Sequence, residues 1–263
     1  MKILFLGDVV GRSGRDAVIK NLPRLRRDMA LDAVIVNGDN AAGGFGINPQ
    51  IAKDFLARGA DVITGGDHIW DQKETKPYLS QEKRLLRPEN FPIGTVGNGH
   101  FLLTLADGRK LLILHLLGQV FHKEHTRCPF ITADEILAEY RLGANVSILV
   151  DFHAEATSEK NAMGKYLDGR VSVVVGTHTH VPTNDARILP KGTAYQTDAG
   201  MCGDYDSVIG FDVKSPLERF LTKIHKPKLE AAIGAAALYG LYVETDDKTG
   251  LANECKPFVL PKE

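Results

Sequence analysis

The sequence predicts an α/β fold built around mixed β-sheets. Between residues 2 and 68, short apolar runs alternate with stretches of helical periodicity, which is typical of parallel strands joined by right-handed helical crossovers. Later apolar runs include closely spaced pairs, as in antiparallel hairpins. The 263 residues contain no internal repeat, low-complexity tract or linker, so we expect a single domain over 1–263.

Three strands and two helices are predicted at the start of the chain. They are a strand at 2–8, a helix at 14–29, a strand at 32–40, a helix at 49–59 and a strand at 61–68. In the first helix, Val18, Leu22 and Leu25 recur at helical spacing, although Pro23 falls within it. Gly59 follows the second helix in the position of a C-terminal cap.

The rest of the chain predicts further strands, two helices and two loops. Strands are expected at 101–105, 110–116, 146–152, 171–176 and 193–197, and helices at 134–142 and 215–224. The turn sequence DGRK joins the first two of these strands, and residues 238–260 predict a second hairpin. Residues 119–132 and 200–213 are expected to be irregular loops that form a small cap at the mouth of a site.

Composition excludes several classes of protein. Lys and Arg number 32 against 33 Asp and Glu, so we expect neither a broad nucleic-acid surface nor a membrane surface. No apolar segment approaches the roughly 20 residues that cross a bilayer. The three cysteines are widely spaced and lack a CxxC pair, which argues against a disulfide framework and a cysteine zinc site. A reducing cytoplasm is the expected location.

Five predicted strands each lead into a side chain that can bind a metal or transfer a proton. These side chains are Asp8; Asp39 and Asn40; Asp67 and His68; His153; and His178 and His180. One such residue alone would be interpreted as a turn former or a solvated side chain. Because parallel strands present their carboxyl ends at one edge of a sheet, we expect the whole set to converge. The sequence therefore predicts a metal site there.

The donor set indicates two metal ions. Three carboxylates, an amide and three imidazoles exceed the four positions of a tetrahedral zinc site. They suit a pair of ions about 3.5–4 Å apart, the arrangement that clamps a phosphoryl group during displacement. Mixed carboxylate and imidazole donors suit iron, manganese or zinc. Asp39, which has two carboxylate oxygens, is the natural bridge between them.

Four motifs resemble one known family. GDVVGRSGR (7–15), VNGDNAAGGFG (36–46), DFHAEATSEK (151–160) and VVGTHTHVPT (174–183) are similar to the YmdB family of bacterial metallophosphodiesterases, in the calcineurin-like metallophosphoesterase superfamily. The similarity covers nearly the whole chain. It implies a four-layer αββα sandwich of two mixed β-sheets flanked by helices. It also implies two metal ions, iron first and manganese as the alternative, and hydrolysis of 2′,3′-cyclic nucleotides.

The resemblance also implies a role for each site residue. Asp8, Asn40 and His180 would hold the first metal; Asp67, His153 and His178 would hold the second; Asp39 would bridge them; and His68 would be the proton donor. Metal-activated hydroxide would attack phosphorus while His68 protonates the departing ribose oxygen. The family commonly has Glu where this chain has Asp39, and Asn where it has Asp67. The added carboxylate makes the site more negative, which can change metal preference.

Other residues are assigned on weaker patterns. Arg12 and Arg15 follow the first strand and are candidates for phosphate contact. Glu155 and Thr157 are candidates for orienting a ligating histidine. Trp70 is expected in the core rather than against a base.

Five histidines fall outside the strand-end pattern and are interpreted as ordinary ones. They are His100, His115, His122, His125 and His225. Of these, His122 and His125 are candidates for lining a loop over the site.

Two further functions stay open at this point. The chain could be a phosphomonoesterase or another metallohydrolase, because the ligand order does not separate diesters from monoesters. It could also be a non-catalytic RNA-binding or regulatory protein with a vestigial metal site, which its near-zero net charge disfavours. The expected partner is a small phosphodiester such as a cyclic nucleotide, and a homo-oligomer is expected.

Overall fold

The computed structural model describes residues 1–223 and 227–262, and within them the apolar runs form two mixed sheets. The first sheet has eight strands in this described part of the chain. In spatial order they are β2 (Asp8–Val9), β12 (Met201–Asp204), β13 (Ala236–Thr245), β1 (Lys2–Leu6), β3 (Ala33–Asn37), β4 (Val62–Thr64) and β5 (Leu85–Leu86), with β14 (Ala252–Leu260) paired to β13. Strand β1 is parallel to β3, and β3 to β4.

The register of these parallel strands aligns their ends. Leu6 lies opposite Val36, and Asn37 lies opposite Thr64. The residues that follow each strand therefore leave the sheet at the same edge.

The second sheet has six strands among the described residues. In spatial order they are β10 (Arg187–Ile188), β11 (Ala194–Gln196), β9 (Val173–Thr177), β8 (Val146–His153), β7 (Lys110–Leu117) and β6 (His100–Thr104). Strands β7, β8 and β9 are parallel, and His153 lies opposite Thr177. Strands β6 and β7 form the predicted antiparallel hairpin.

Helices cover the outer face of each sheet. Against the first sheet pack α1 (Gly11–Asp28), α2 (Pro49–Ala57) and α3 (Thr75–Leu79), and against the second pack α4 (Pro129–Glu139) and α5 (Thr157–Leu167). The described residues also form a largely exposed helix, α6 (Lys214–Thr222), and a short 3₁₀ helix at Asp67–Trp70. None of the helices in 1–223 and 227–262 combines the length and the apolar character needed to cross a membrane.

The side chains of β1 pack alternately on the two faces of the first sheet. Leu4 packs toward the helices in a cluster with Leu22 of α1, whereas its neighbour Phe5 packs between the sheets with Ile113 of β7. Successive side chains point to opposite faces of a strand. The first sheet is therefore apolar on both faces, as a sheet covered on both sides requires.

The side chains of β8 likewise pack on both faces of the second sheet. Leu149 packs with Ile35 between the two sheets, and Val150 packs outward in a cluster with Met163 of α5. Each fully buried side chain of this kind contributes about 1.5–3 kcal/mol. Three apolar clusters separate four layers, which confirms the predicted αββα sandwich.

Some predicted elements were wrong in place or extent. The expected loop at 200–213 begins with β12, which forms because Met201 and Cys202 pair in parallel with Asp8 and Val9. The expected loop at 119–132 ends in helix, because Pro129 is at an N-terminal position of α4 that tolerates its missing N–H. Residue 224 of the predicted helix at 215–224, and His225, lie outside the described residues.

Helix α5 is absent from the prediction. Its buried positions include Glu159 and Lys160 beside Met163 and Leu167. Two buried charged residues interrupt the apolar stripe on which helix recognition depends.

Candidate metal centre

The seven predicted ligands converge at the carboxyl ends of the two sheets. The first sheet contributes Asp8 in β2, Asp39 and Asn40 after β3, and Asp67 after β4. The second contributes His153 at the end of β8, and His178 and His180 after β9. The structure thus brings together residues that lie up to 172 positions apart by number, Asp8 and His180 being the extremes.

Asp67 lies at the centre of one half of the cluster. Its Oδ1 is 3.1 Å from His153 Nε2 and 3.4 Å from His178 Nδ1. The two imidazole nitrogens are 3.1 Å from each other. Burial opposes ionisation of Asp67, but its contacts with His153 and His178 outweigh it and lower the pKa of the carboxyl. These three donor groups are close enough to bind one ion.

Asp39 lies beside this group and is almost fully buried. Its Oδ1 accepts a hydrogen bond of 3.1 Å from the backbone N–H of His68. Its Oδ2 lies 3.4 Å from His153 Nε2 but has no hydrogen-bond partner. Burial, followed by the charge of Asp67, raises the pKa of Asp39 well above its ordinary value.

Asp8, like Asp39, has one hydrogen-bonded carboxylate oxygen and one without a partner. Its Oδ2 accepts a 3.2 Å hydrogen bond from the backbone N–H of His178, whereas its buried Oδ1 has no partner. Burial raises the pKa of Asp8 to about 6. A buried carboxylate oxygen without a partner is costly unless a cation binds it. The unpartnered oxygens of Asp8 and Asp39 therefore fit a metal centre.

Asn40 and His180 complete the half nearest Asp8. Asn40 Oδ1 is 3.1 Å from His180 Nε2, and His180 Nδ1 lies 2.7 Å from the carbonyl oxygen of Ile209. Because that carbonyl can only accept, Nδ1 carries the proton and Nε2 keeps its lone pair. His180 is therefore in the tautomer that presents Nε2 for metal binding.

The backbone around these histidines is strained. His178 and His180 have φ values of 102° and 65°, and Ile209, which is β-branched, has φ of 48°. Such conformations cost about 1–3 kcal/mol each and concentrate at functional sites. Gly66 is needed for a related reason, since an added Cβ would lie 2.6 Å from both Asp39 Cγ and His153 Nε2.

A hydrogen-bonded chain within the second sheet fixes His153. The Thr177 hydroxyl donates to Asp151 Oδ1 at 2.7 Å and lies 2.9 Å from His153 Nδ1. Its one proton goes to Asp151, so it accepts from Nδ1–H and leaves Nε2 free to bind metal. Burial lowers the pKa of His153 to about 3, so its imidazole is neutral. His115, treated as ordinary from sequence, lies 3.3 Å from Asp151 on the far side.

A buried ion pair fixes the loop between His178 and His180. Lys160 Nζ lies 2.7 Å from Asp198 Oδ2, and both side chains are about 2% exposed or less. The same oxygen accepts hydrogen bonds from the backbone N–H and the hydroxyl of Thr179. The Asp198 carboxylate therefore holds the loop in place.

His68 occupies the rim of the cluster. Its Nδ1 is 2.8 Å from Asp71 Oδ2, and its Nε2 is 3.8 Å from Asp67 Oδ2. The side chain is 29% exposed, unlike the buried His153. Asp71 thus orients His68 with its Nε2 directed toward the ligands.

A cavity of about 340 Å³ opens onto the cluster. Metal-ligand candidates line it together with apolar side chains from the loop after β3 and from positions 209, 211 and 229. The lining residues are Asp39, Asn40, Phe45, His68, Glu155, His178, Thr179, His180, Ile209, Phe211 and Leu229. Residues 209 and 211 belong to the predicted cap, and His122 of the other predicted loop has its ring centroid 4.8 Å from that of His178.

The two candidate phosphate contacts lie elsewhere. Arg12 is 80% exposed beside Asp16, and Arg15 donates to the carbonyl oxygen of Ala41 at 2.5 Å. Neither arginine is among the described residues that line the cavity of the cluster. Glu155 lies 3.1 Å from His178 Nε2, in the orienting position predicted for it. Trp70 packs against the apolar core of the first sheet.

Sequence reasoning missed the residues that support the ligands. Asp151 had a usable signal, since a carboxylate inside an apolar strand must find partners when buried. Lys160 and Asp198 had none, because they lie 38 positions apart and meet only in the fold.

A cluster of Asp and His side chains that could hold metal, at the shared strand ends of two facing mixed sheets, defines a protein of the metallophosphoesterase type. Within that class, the family model described as "YmdB-like protein" matches residues 4–258, and the chain belongs to this family. The resemblance drawn from the four sequence motifs is thereby confirmed.

Three relatives show the extent of the similarity. The chain is 46% identical over 249 residues to the Bacillus subtilis protein named 2′,3′-cyclic-nucleotide 2′-phosphodiesterase, across 95% of this chain and 93% of that one. The crystal structure of a hypothetical protein from Thermus thermophilus has a TM-score of 0.93 and 41% identity over 100% of both chains. That of a novel phosphatase from Mycoplasma pneumoniae has 0.93 and 34%, over 100% of this chain and 94% of that one.

Proposed function

We propose that this chain is a metal-dependent phosphodiesterase that hydrolyses 2′,3′-cyclic nucleotides. The observation that carries the proposal is the meeting of two buried, half-unpartnered carboxylates, Asp8 and Asp39, with three histidines beside one open cavity. The printed activity of the 46% identical Bacillus subtilis relative supports the same substrate class.

Seven residues would hold two metal ions, iron first and manganese as the alternative. Asp8, Asn40 and His180 would bind one, Asp67, His153 and His178 the other, and Asp39 would bridge them. Asp39 suits a bridge because its unpartnered Oδ2 lies 3.4 Å from His153 Nε2 and its carboxyl group is buried beside both other carboxylates. When bound, the ions supply positive charge to the phosphoryl oxygens and lower the pKa of water.

His68 would donate the proton to the departing ribose oxygen. As the imidazolium, with Nδ1 bonded to Asp71 at 2.8 Å, it would deliver the proton from Nε2, which lies on the side of the ligands. The backbone N–H of His68 donates to Asp39, which fixes the distance between the proton donor and the ligand cluster.

Metal analysis combined with a substrate panel tests this function. The purified chain should contain two ions and should hydrolyse 2′,3′-cyclic AMP faster than 3′,5′-cyclic AMP or an aryl phosphate monoester. His68→Ala should keep both ions and lose about 10²- to 10⁴-fold in kcat. Loss of metal in that variant would make His68 a ligand, and activity on the 3′,5′-cyclic diester alone would overturn the substrate class.

The assay with the aryl phosphate monoester tests the main alternative function. The structural relative from Mycoplasma pneumoniae is described as a phosphatase, so phosphomonoesterase activity is the second candidate. The three free cysteines support a reducing, cytoplasmic location for either activity. The expected homo-oligomer stays a prediction.

A further inference from the structure

Apolar side chains form a wall of the cavity beside the candidate ligands, and neither metal binding nor proton transfer uses these side chains. The members of this wall are Phe45, Ile209 and Leu229 at the surface and Phe211 beneath. Ile209 is 48% exposed, whereas Phe211 is 6% exposed. Exposed apolar surface beside a polar reaction centre is typical of a ligand pocket with an apolar side.

The ring of Phe45 is held rigidly in this wall. Its centroid lies 5.3 Å from that of Phe211, with 32° between the ring planes. Phe211 in turn lies close over Gly44, where an added Cβ would be 2.6 Å from Phe211 Cε1. Gly44 also has φ of 100°, so a side chain there would be strained.

The loop that presents Phe45 is bonded directly to the ligand segment. The backbone N–H of Gly44 donates to the Asn40 carbonyl at 3.0 Å, and that of Gly46 to the Asp39 carbonyl at 2.6 Å. Asn40 Nδ2 donates back to the Gly44 carbonyl at 2.9 Å. The position of Phe45 is therefore fixed relative to the candidate metal ligands.

Phe45 also touches the proposed proton donor. The Phe45 and His68 ring centroids are 5.2 Å apart, with the rings nearly perpendicular at 81°. If a ribose oxygen leaves at His68, the base on the same ribose must lie within a few ångströms of that oxygen. The apolar wall is the part of the cavity that a planar aromatic group attached there would reach.

We propose that Phe45, backed by Phe211, is the stacking platform for the nucleobase of the substrate. This inference rests on the proposed function and adds the part of the nucleotide that the metal ligands do not recognise. Stacking on a phenyl face tolerates different bases. The platform should therefore accept adenine and guanine alike and favour them over the smaller uracil.

Two cyclic diesters that differ in the base test the platform. Adenosine 2′,3′-cyclic phosphate and glycerol 1,2-cyclic phosphate share the five-membered cyclic diester, but only the first has a ribose ring and a base. Phe45→Ala should raise KM for the nucleotide about 10-fold, as expected from loss of one base–aromatic stack. Its kcat, and kcat/KM for the glycerol diester, should stay within about threefold of wild type.

Matched variants separate stacking from folding. Phe45→Tyr keeps an aromatic face and should retain the wild-type KM for the nucleotide. Phe220→Ala removes a phenyl ring that is 73% exposed on α6. It should leave kcat and KM unchanged for both substrates. If Phe45→Ala instead lowered kcat for both diesters equally, the ring would only support His68 and the platform would be wrong. An unchanged nucleotide KM would also overturn it.

A binding measurement separates the platform from the reaction. Calorimetry should show that adenosine 3′-monophosphate binds the metal-loaded chain more tightly than glycerol 2-phosphate, and that Phe45→Ala removes most of the difference. Should the chain hydrolyse neither cyclic diester, the proposed activity fails, and this comparison still decides the platform. Equal binding of the two phosphates in wild type would overturn it.

Discussion

The two sheets make different contributions to the metal centre. The first supplies all three carboxylates, and two of these, Asp8 and Asp39, keep one buried oxygen without a partner. The second supplies the three imidazoles, and each has a protein contact at the ring nitrogen that is not needed for binding. For His180 that contact is the Ile209 carbonyl, and for His153 it is the Thr177 hydroxyl.

This difference separates charge from orientation. Asp8 and Asp39 of the first sheet are incompletely compensated by protein, so they would provide the attraction for cations. The histidines of the second sheet are fixed in tautomer and direction, so they provide geometry. Neither sheet holds the site alone, and the site exists only where the two sheets pack together. Substitutions in the two sheets should therefore have different effects on metal binding and on stability.

The largest effect is expected from removing charge in the first sheet. Asp39→Asn should reduce metal content to background and abolish turnover, because Asp39 is the proposed bridge. The same substitution should stabilise the metal-free protein, since it removes the charge of a buried carboxylate that has one oxygen without a partner. Each 1 kcal/mol gained should raise Tm by about 2–4 °C in a chain of this size. Elemental analysis and thermal unfolding with and without a chelator measure both effects.

The paired result distinguishes a ligand from a structural residue. If Asp39 were only a structural residue, Asp39→Asn would lower Tm in both the metal-loaded and the chelated protein. Retention of two ions by Asp39→Asn would contradict the assignment of the bridge.

The carboxylates and imidazoles were predictable because each lies at the end of an apolar strand or just after it. Runs such as VVVGTHTH identify both the strand and the polar residues at its end, and parallel pairing then brings distant ends together. The four-layer fold was predictable through the family resemblance rather than from periodicity. Both predictions depend on patterns that lie within short segments of the sequence.

The supporting residues were not predictable in this way. Helix α5 is obscured by Lys160, which has the character of a surface residue until Asp198 is placed beside it. Phe45 lies in a glycine-rich loop with no strand or helix pattern, and only the fold shows that its ring reaches His68. Orientation depends on contacts between segments, which one sequence does not reveal.

The next effect concerns the ion pair that orients the second sheet's histidine loop. Lys160→Met should lower the free energy of unfolding by about 3–5 kcal/mol, because it leaves the Asp198 carboxylate buried without its cation. Unlike Asp39→Asn, it should destabilise the protein both with and without metal. Denaturant unfolding measures the loss. Lys165→Met, at an exposed position on the same helix, should change it by less than about 0.5 kcal/mol.

A smaller effect is expected where only one hydrogen bond of orientation is lost. Thr177→Val keeps the shape of the side chain but removes the hydroxyl that fixes the His153 tautomer, so metal affinity should fall about 10- to 100-fold. Thr177→Ser restores the hydroxyl and should recover most of the affinity. Competition with a chromogenic chelator measures it. Equal affinity in the valine variant would show that His153 needs no support from Thr177.

The smallest effect is expected at the exposed end of the same sheet. Glu155 lies 3.1 Å from His178 Nε2, but its side chain is 49% exposed, so water screens the interaction. Glu155→Gln should therefore reduce metal affinity by no more than about fivefold, as for other solvent-exposed ion pairs. Glu139→Gln, at an exposed position on α4, is the matched control and should leave affinity unchanged. A loss as large as that of Thr177→Val would mean that orientation at His178 depends on Glu155 as strongly as orientation at His153 depends on its buried hydroxyl.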